Sequence, residues 1–94
     1  EYIPQITVAE LEELQAKEPV AVLDVREAGE VEVGAIPGSI RIPLGELPGR
    51  LEELRPYSDR LLVTHCKGGY RSSIASSILR RGGFENIANL TGGY

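Results

Sequence analysis

Apolar and polar positions along this chain follow two different periods, and the switches between them divide it into elements. Tyr2 to Ile6 is a short extended run, and Pro4, which cannot donate to a sheet ladder, predicts an edge position for it. Thr7 followed by Glu10 is a capping box that opens a helix with Val8, Leu11 and Leu14 on one face. Glu10, Glu12 and Glu13 read as the solvated side of that helix, and Pro19 lies just past its end. Val20 to Val25 has the compact β-branched pattern of a strand buried on both faces. Residues 26–39 hold no single period: Arg26 to Val33 fits either a helical turn or an alternating ribbon. Ile36-Pro37-Gly38-Ser39 is a turn signal. Ser39 to Ile42 predicts a short strand, and Leu44 to Leu54 a helix interrupted by Pro48 and Gly49. Leu61 to Thr64 predicts a second buried strand that runs directly into His65-Cys66. Ser72 to Arg81 predicts a helix with Ile74, Ala75, Ile78 and Leu79 on one face, stopped at Gly82. Asn86 to Leu90 makes the last strand.

Strands alternating with helices over this length imply right-handed crossovers and a mainly parallel sheet, an α/β fold. No repeat, low-complexity tract or linker interrupts it, so residues 1–94 read as one domain. In open parallel sheets ligands sit beyond the carboxyl ends of the strands, and Cys66 is at such an end.

Composition narrows the chemistry. Leu, Ile, Val and Phe make up 27 of the 94 residues, enough for a small core and above the range of disordered chains. The longest uninterrupted apolar run is the four residues Val20 to Leu23, so nothing reads as a transmembrane helix or a secretory h-region. The net charge of −4 argues against nucleic-acid binding, and no membrane partner is expected. The charge is uneven, however: residues 1–47 carry −7 and residues 48–94 carry +3, so an anionic ligand favours the second half. One cysteine and one histidine exclude a disulfide framework and a metal site built on several thiolates or imidazoles. A lone cysteine suits a reducing compartment, here expected to be the cytoplasm, or a thiol with a function of its own. The chain starts at Glu1 and contains no methionine, which predicts an excised or processed piece of a longer protein.

The segment His65-Cys66-Lys67-Gly68-Gly69-Tyr70-Arg71-Ser72 carries the most information. A buried strand delivers a cysteine, a short loop through Arg71 follows, and a helix begins. Backbone N–H groups at a helix start are unpaired and carry the positive end of the dipole. Gly68 and Gly69 let the backbone curl into an anion-binding nest, with Lys67 and Arg71 adding positive charge. Such surroundings lower a cysteine's pKa and make a thiolate nucleophile. The plain alternative is a buried apolar cysteine beside an ordinary glycine-rich turn.

Cys66, four intervening residues, Arg71 and Ser72 resemble the active-site signature of the rhodanese family of sulfurtransferases. The resemblance extends along the chain. Leu23-Asp24-Val25-Arg26-Glu27 is similar to the family's Asp-Val-Arg strand end, and Gly34-Ala35-Ile36-Pro37-Gly38-Ser39 with Ile42-Pro43 to its second landmark. Gly83-Phe84 and Leu90-Thr91-Gly92-Gly93 resemble its closing strand and turn. The resemblance implies a rhodanese-like five-stranded, mainly parallel sheet flanked by helices on both faces, and a Cys66 that carries sulfur as a persulfide. The chain departs from the family at Val31 and Ala35, where an aromatic residue and a histidine are common, and it stops at Tyr94, short of the family's usual end. The wording Lys67-Gly68-Gly69-Tyr70-Arg71-Ser72-Ser73 also resembles rhodanese modules fused behind a metallo-β-lactamase-fold sulfur dioxygenase, which implies a fused origin.

Several residues beside Cys66 admit more than one role. His65 before Cys66 resembles the His-Cys pair of cysteine-dependent phosphatases, but neighbours on a strand point to opposite faces, which favours a structural histidine. Asp24 and Arg26 end the neighbouring strand. They are either an ordinary surface ion pair or a functional pair, with Asp24 bonding loop backbone or Arg71 and Arg26 bordering the substrate. Arg80 and Arg81 close the last helix and offset its dipole.

The expected function is sulfur transfer: Cys66 takes sulfane sulfur from thiosulfate or a persulfide and passes it to an external thiol or to cyanide. No cofactor or metal is required. Lys67, Gly68, Gly69, Tyr70 and Arg71 form the substrate-binding loop, and Asp24, Arg26 and Ser72 support it. A cysteine-dependent phosphatase or arsenate reductase of similar fold is the first rival, but those enzymes place five residues between Cys and Arg where this chain has four. A shorter loop suits one sulfur atom and is cramped for a tetrahedral phosphate. A non-catalytic regulatory or docking module is the second rival, and its usual mark, loss of the cysteine, is missing here.

Overall fold

The computed structural model describes residues 3–27, 29, 36, 38–66 and 70–91. Chain order runs β1 (Gln5–Ile6), α1 (Val8–Lys17), β2 (Val20–Asp24) and β3 (Ile40–Arg41). Two 3₁₀ segments follow, Leu44–Gly49 and Leu51–Tyr57, then β4 (Leu61–His65), α2 (Tyr70–Arg81) and β5 (Ile87–Leu90). The five strands form one sheet in the order β1-β5-β4-β2-β3, and every pairing is parallel. This is the five-stranded α/β architecture the sequence predicts.

Local chemistry explains the elements. Thr7 Oγ1 accepts the Glu10 N–H at 3.2 Å while Glu10 Oε1 accepts the Thr7 N–H at 2.8 Å, so both halves of the capping box are made. The short strand containing Gln5 and Ile6 is an edge, as Pro4 demands. Pro4 still contributes its carbonyl, which accepts the Asn89 N–H at 2.8 Å. Strands β2 and β4 share the same burial profile, half-buried at the first residue and buried thereafter, as central strands covered on both faces must be. Gly38, at φ 80°, closes the predicted turn, in which the Ser39 N–H reaches the Ile36 carbonyl at 3.1 Å.

Alternation along the strands splits the core in two. Val22, Val63, Ala88 and Leu90 pack with Leu11 of α1 on one face. Ala21, Leu23, Leu62 and Ile87 pack on the other, with Ala75 and Leu79 of α2 and with Leu47 and Leu54 of the 3₁₀ segments. Helix α2 ends in a Schellman arrangement: the Phe84 N–H bonds the Leu79 carbonyl, the Gly83 N–H bonds the Arg80 carbonyl, and Gly83 takes φ 98°. Gly82 therefore stops the helix as predicted, with its neighbour supplying the left-handed residue.

Three expectations are corrected. The stretch from Leu44 breaks after Gly49 as expected, but its two segments are 3₁₀ rather than α-helical, and it continues to Tyr57. Pro48 and Pro56 each lack the N–H that an α-helix interior uses. Helix α2 starts at Tyr70, so Tyr70 and Arg71, expected in the loop, form its first turn. Its buried face is also different: Ser72, Ala75, Ser76 and Leu79 are buried, whereas Ile74 is 37% exposed. Among the described residues, no helix is long and apolar enough to cross a membrane.

Candidate active site

Strand β4 ends at His65, and Cys66 emerges at the carboxyl end of the sheet beside the start of α2. Thr64 and Cys66 lie on the α2 side, where Cys66 joins the cluster containing Leu62, Ala75 and Leu79. Cys66 is a free cysteine and 1% exposed. Its Sγ receives the Ser72 backbone N–H at 3.3 Å and lies 3.5 Å from Ser72 Oγ. Ser72 is the third residue of α2, so this N–H is one of those the helix leaves without an internal partner. A sulfur there also meets the positive end of the helix dipole. Both effects favour negative charge on sulfur. Lys67, Gly68 and Gly69, the rest of the expected nest, lie outside the described residues, as do Gly34, Ala35, Pro37, Gly92 and Gly93 of the other sequence landmarks. Tyr70 is 76% exposed and Arg71 is half-buried in the turn that carries Ser72.

Asp24 and Arg26 sit at the end of β2, next to β4. They are not a surface pair. Asp24 is fully buried and the Arg26 side chain is only 10% exposed. Arg26 Nε donates to Asp24 Oδ1 at 3.0 Å and to Oδ2 at 3.2 Å, Nη2 donates to Oδ2 at 2.8 Å, and the Arg26 N–H donates to Oδ1 at 3.0 Å. Burial alone would raise the carboxyl's pKa. The Arg26 side-chain and backbone hydrogen bonds and its charge outweigh burial and hold Asp24 below its ordinary range. His65 pairs in register with Asp24 and is fully buried. Burial pushes its pKa down, the Asp24 carboxylate opposes that, and Arg26 adds to it. His65 lies one residue along the strand from Cys66, on the α1 side of the sheet, as strand alternation predicts. Among the described residues no cluster of three or more His, Cys, Asp or Glu side chains could hold a metal ion.

Sequence reasoning missed the polar seam between β4 and α2. Thr64 and Ser76 are both fully buried, with hydroxyl oxygens 2.8 Å apart. The available signal was spacing: Thr64 two residues before Cys66 on the strand, and Ser76 four after Ser72 on the helix.

The sequence model of the rhodanese-like domain matches residues 7–94. The chain belongs to the rhodanese-like domain family. This rhodanese-like domain is 35% identical over 92 residues to YrkF of Bacillus subtilis, whose name proposes a sulfur carrier; the match covers 97% of this chain and 49% of that protein. It is 36% identical over 88 residues to a tRNA uridine(34) hydroxylase of Listeria welshimeri, covering 89% of this chain and 28% of that one. The chain thus spans half or less of these two relatives. Among solved structures, a human single-domain sulfurtransferase superposes with a TM-score of 0.82 at 30% identity, covering 99% of this chain and 93% of that one.

Proposed function

We propose that this rhodanese-like domain is a sulfurtransferase whose sulfur carrier is Cys66. The observation that carries the reading is the Ser72 N–H, 3.3 Å from Cys66 Sγ at the head of α2. A backbone donor aimed at sulfur stabilises a thiolate before the reaction and a persulfide anion after it. In the first half-reaction the thiolate attacks the outer sulfur of thiosulfate. The new S–S bond forms as the old one breaks, and sulfite leaves with the bonding electron pair. With a persulfide donor the leaving group is a thiolate. In the second half-reaction an external thiolate or cyanide attacks the outer sulfur of the Cys66 persulfide and regenerates the Cys66 thiolate. These 94 residues hold no second cysteine, so an accepting thiol lies outside them.

Lys67, Gly68 and Gly69 are assigned to the binding loop and Tyr70 and Arg71 to the helical turn that follows it, with Lys67 and Arg71 attracting an anionic donor. Asp24 and Arg26 support the neighbouring strand end, and neither a cofactor nor a metal takes part. Steady-state thiocyanate formation from thiosulfate and cyanide tests the assignment. The wild-type protein is expected to turn over and Cys66→Ser to produce nothing. A folded wild type without thiocyanate, or a Cys66→Ser variant with the wild-type rate, overturns it.

A further inference from the structure

Two polar rungs join β4 to α2, and only one of them touches the reacting sulfur. Cys66 meets Ser72; two residues earlier on the strand and one turn later on the helix, Thr64 meets Ser76. All four are at most 1% exposed. Elsewhere the same seam is apolar, built from Leu62, Ala75, Leu79 and Ile87. Hydroxyls at its other end are costly to bury unless each is satisfied. Ser76 Oγ lies 2.9 Å from the Ser72 carbonyl oxygen, within reach of a hydroxyl donor. Thr64 Oγ1 lies 2.8 Å from Ser76 Oγ, and either hydroxyl can be the donor. Its other contacts, 3.3 Å to Asn89 Oδ1 and 3.4 Å to the Ala88 carbonyl, are longer. Asn89, the register partner of Thr64, in turn donates from Nδ2 to Ser73 Oγ at 3.2 Å. Hydrogen-bond contacts therefore link Thr64, Ser76 and the backbone of Ser72, and Ser72 is the residue whose N–H meets the sulfur.

We propose that Thr64 and Ser76 are positioning residues for Cys66. They tie the first turn of α2 to β4, so that the Ser72 N–H keeps its place on Sγ. The inference rests on the reading of Cys66 as the reactive sulfur, but the property it concerns, ionisation of the thiol, is measured without sulfur transfer. A hydrogen bond to a charged sulfur favours the ionised form, and it weakens steeply as geometry loosens.

Because Cys66 is the only thiol, thiolate absorbance in the ultraviolet, titrated against a Cys66→Ser blank, reports this one group. Thr64→Val keeps the side chain's shape and removes the hydroxyl; Thr64→Ser keeps the hydroxyl. Thr64→Val and Ser76→Ala are each expected to raise the ionisation midpoint by about half a pH unit, about a threefold loss of thiolate below it. Thr64→Ser is expected to titrate with the wild type. The charged groups Asp24, Arg26 and Arg71, the titratable His65, and Lys67, which follows Cys66 in the sequence, are unchanged in all these proteins, so any difference belongs to the hydroxyls. A merely structural rung would lower the unfolding midpoint without moving the titration. The proposal is overturned if folded Thr64→Val titrates with the wild type, or if Thr64→Ser shifts as far as Thr64→Val. The Thr64 pair decides the matter even where Ser76→Ala does not fold. Persulfide formation, scored on the same wild-type protein, separates failure of the sulfur-transfer reading from failure of this one.

Discussion

Removing the Arg26 side chain is expected to destabilise the fold by about 3–5 kcal/mol, because it strips a buried carboxylate of its counter-charge. Asp24 is fully exposed to the consequence: it has no solvent contact, and three of its four contacts with Arg26, at 2.8, 3.0 and 3.2 Å, come from the guanidinium. Only the Arg26 backbone N–H, at 3.0 Å, survives Arg26→Ala. A surface ion pair would be worth about 0–1 kcal/mol, so the two cases are well separated. With a urea slope of about 1.5 kcal/mol per molar, the unfolding midpoint should fall by about 2–3 M. Acid gives an independent check of sign. In the wild type the folded pKa of Asp24 lies below its ordinary value of 3.8. Its contribution is therefore complete above 3.8 and is lost as pH falls through the folded value. In Arg26→Ala burial dominates instead, the carboxyl titrates higher, and protonation relieves the variant. The gap between the two proteins should narrow on acidification. Asp24→Asn combined with Arg26→Met, which removes both charges and retains most of the packing, should recover most of the loss. A loss under about 1 kcal/mol, or a gap that widens toward low pH, would refute the reasoning and return the pair to the surface class.

Other outcomes follow from the same geometry. The folded pKa of His65 is depressed below 6.5 by burial, so wild-type stability should decline as pH falls through 6.5, and His65→Gln should lose that part of the slope in urea titrations at stepped pH. Gly83→Ala places a side chain at φ 98° in ordinary van der Waals contact, the nearest atom being Arg55 Nη1 at 3.7 Å. Backbone strain alone should therefore lower stability by about 1–2 kcal/mol, read by urea unfolding. Inserting a glycine between Gly69 and Tyr70 lengthens the Cys66-to-Arg71 spacing to five residues; it should weaken sulfur transfer and let arsenate or phosphate protect Cys66 from alkylation, which the wild type should not show.

What could be read from the sequence was whatever is decided locally. The Thr7–Glu10 box, the turn at Gly38 and the stop at Gly82 each depend on residues a few positions apart, and each stands in the structure. The burial of β2 and β4 was legible because uninterrupted apolar runs have no solvent face to offer. The 3₁₀ segments were not: Leu44 to Tyr57 has helical apolar spacing, and only the backbone shows that its prolines force the tighter turn. The face of α2 was misread for a different reason. Serine carries no hydrophobic signal, so Ser72 and Ser76 gave no hint of burial, while Ile74 suggested a core position and lies at the surface. Their burial depends on Thr64 and Cys66 across the seam, a pairing between elements rather than within one. Asp24 and Arg26 were visible as a pair, but whether the pair was wet or buried depended on how the end of β2 is covered.

The central claim is that Cys66 carries sulfur, and intact-protein mass spectrometry after incubation with thiosulfate tests it most directly. The wild type should gain the mass of one sulfur atom, lose it on addition of cyanide, and gain nothing as Cys66→Ser. An unmodified mass on folded wild-type protein, with both thiosulfate and a low-molecular-weight persulfide as donors, would contradict the account.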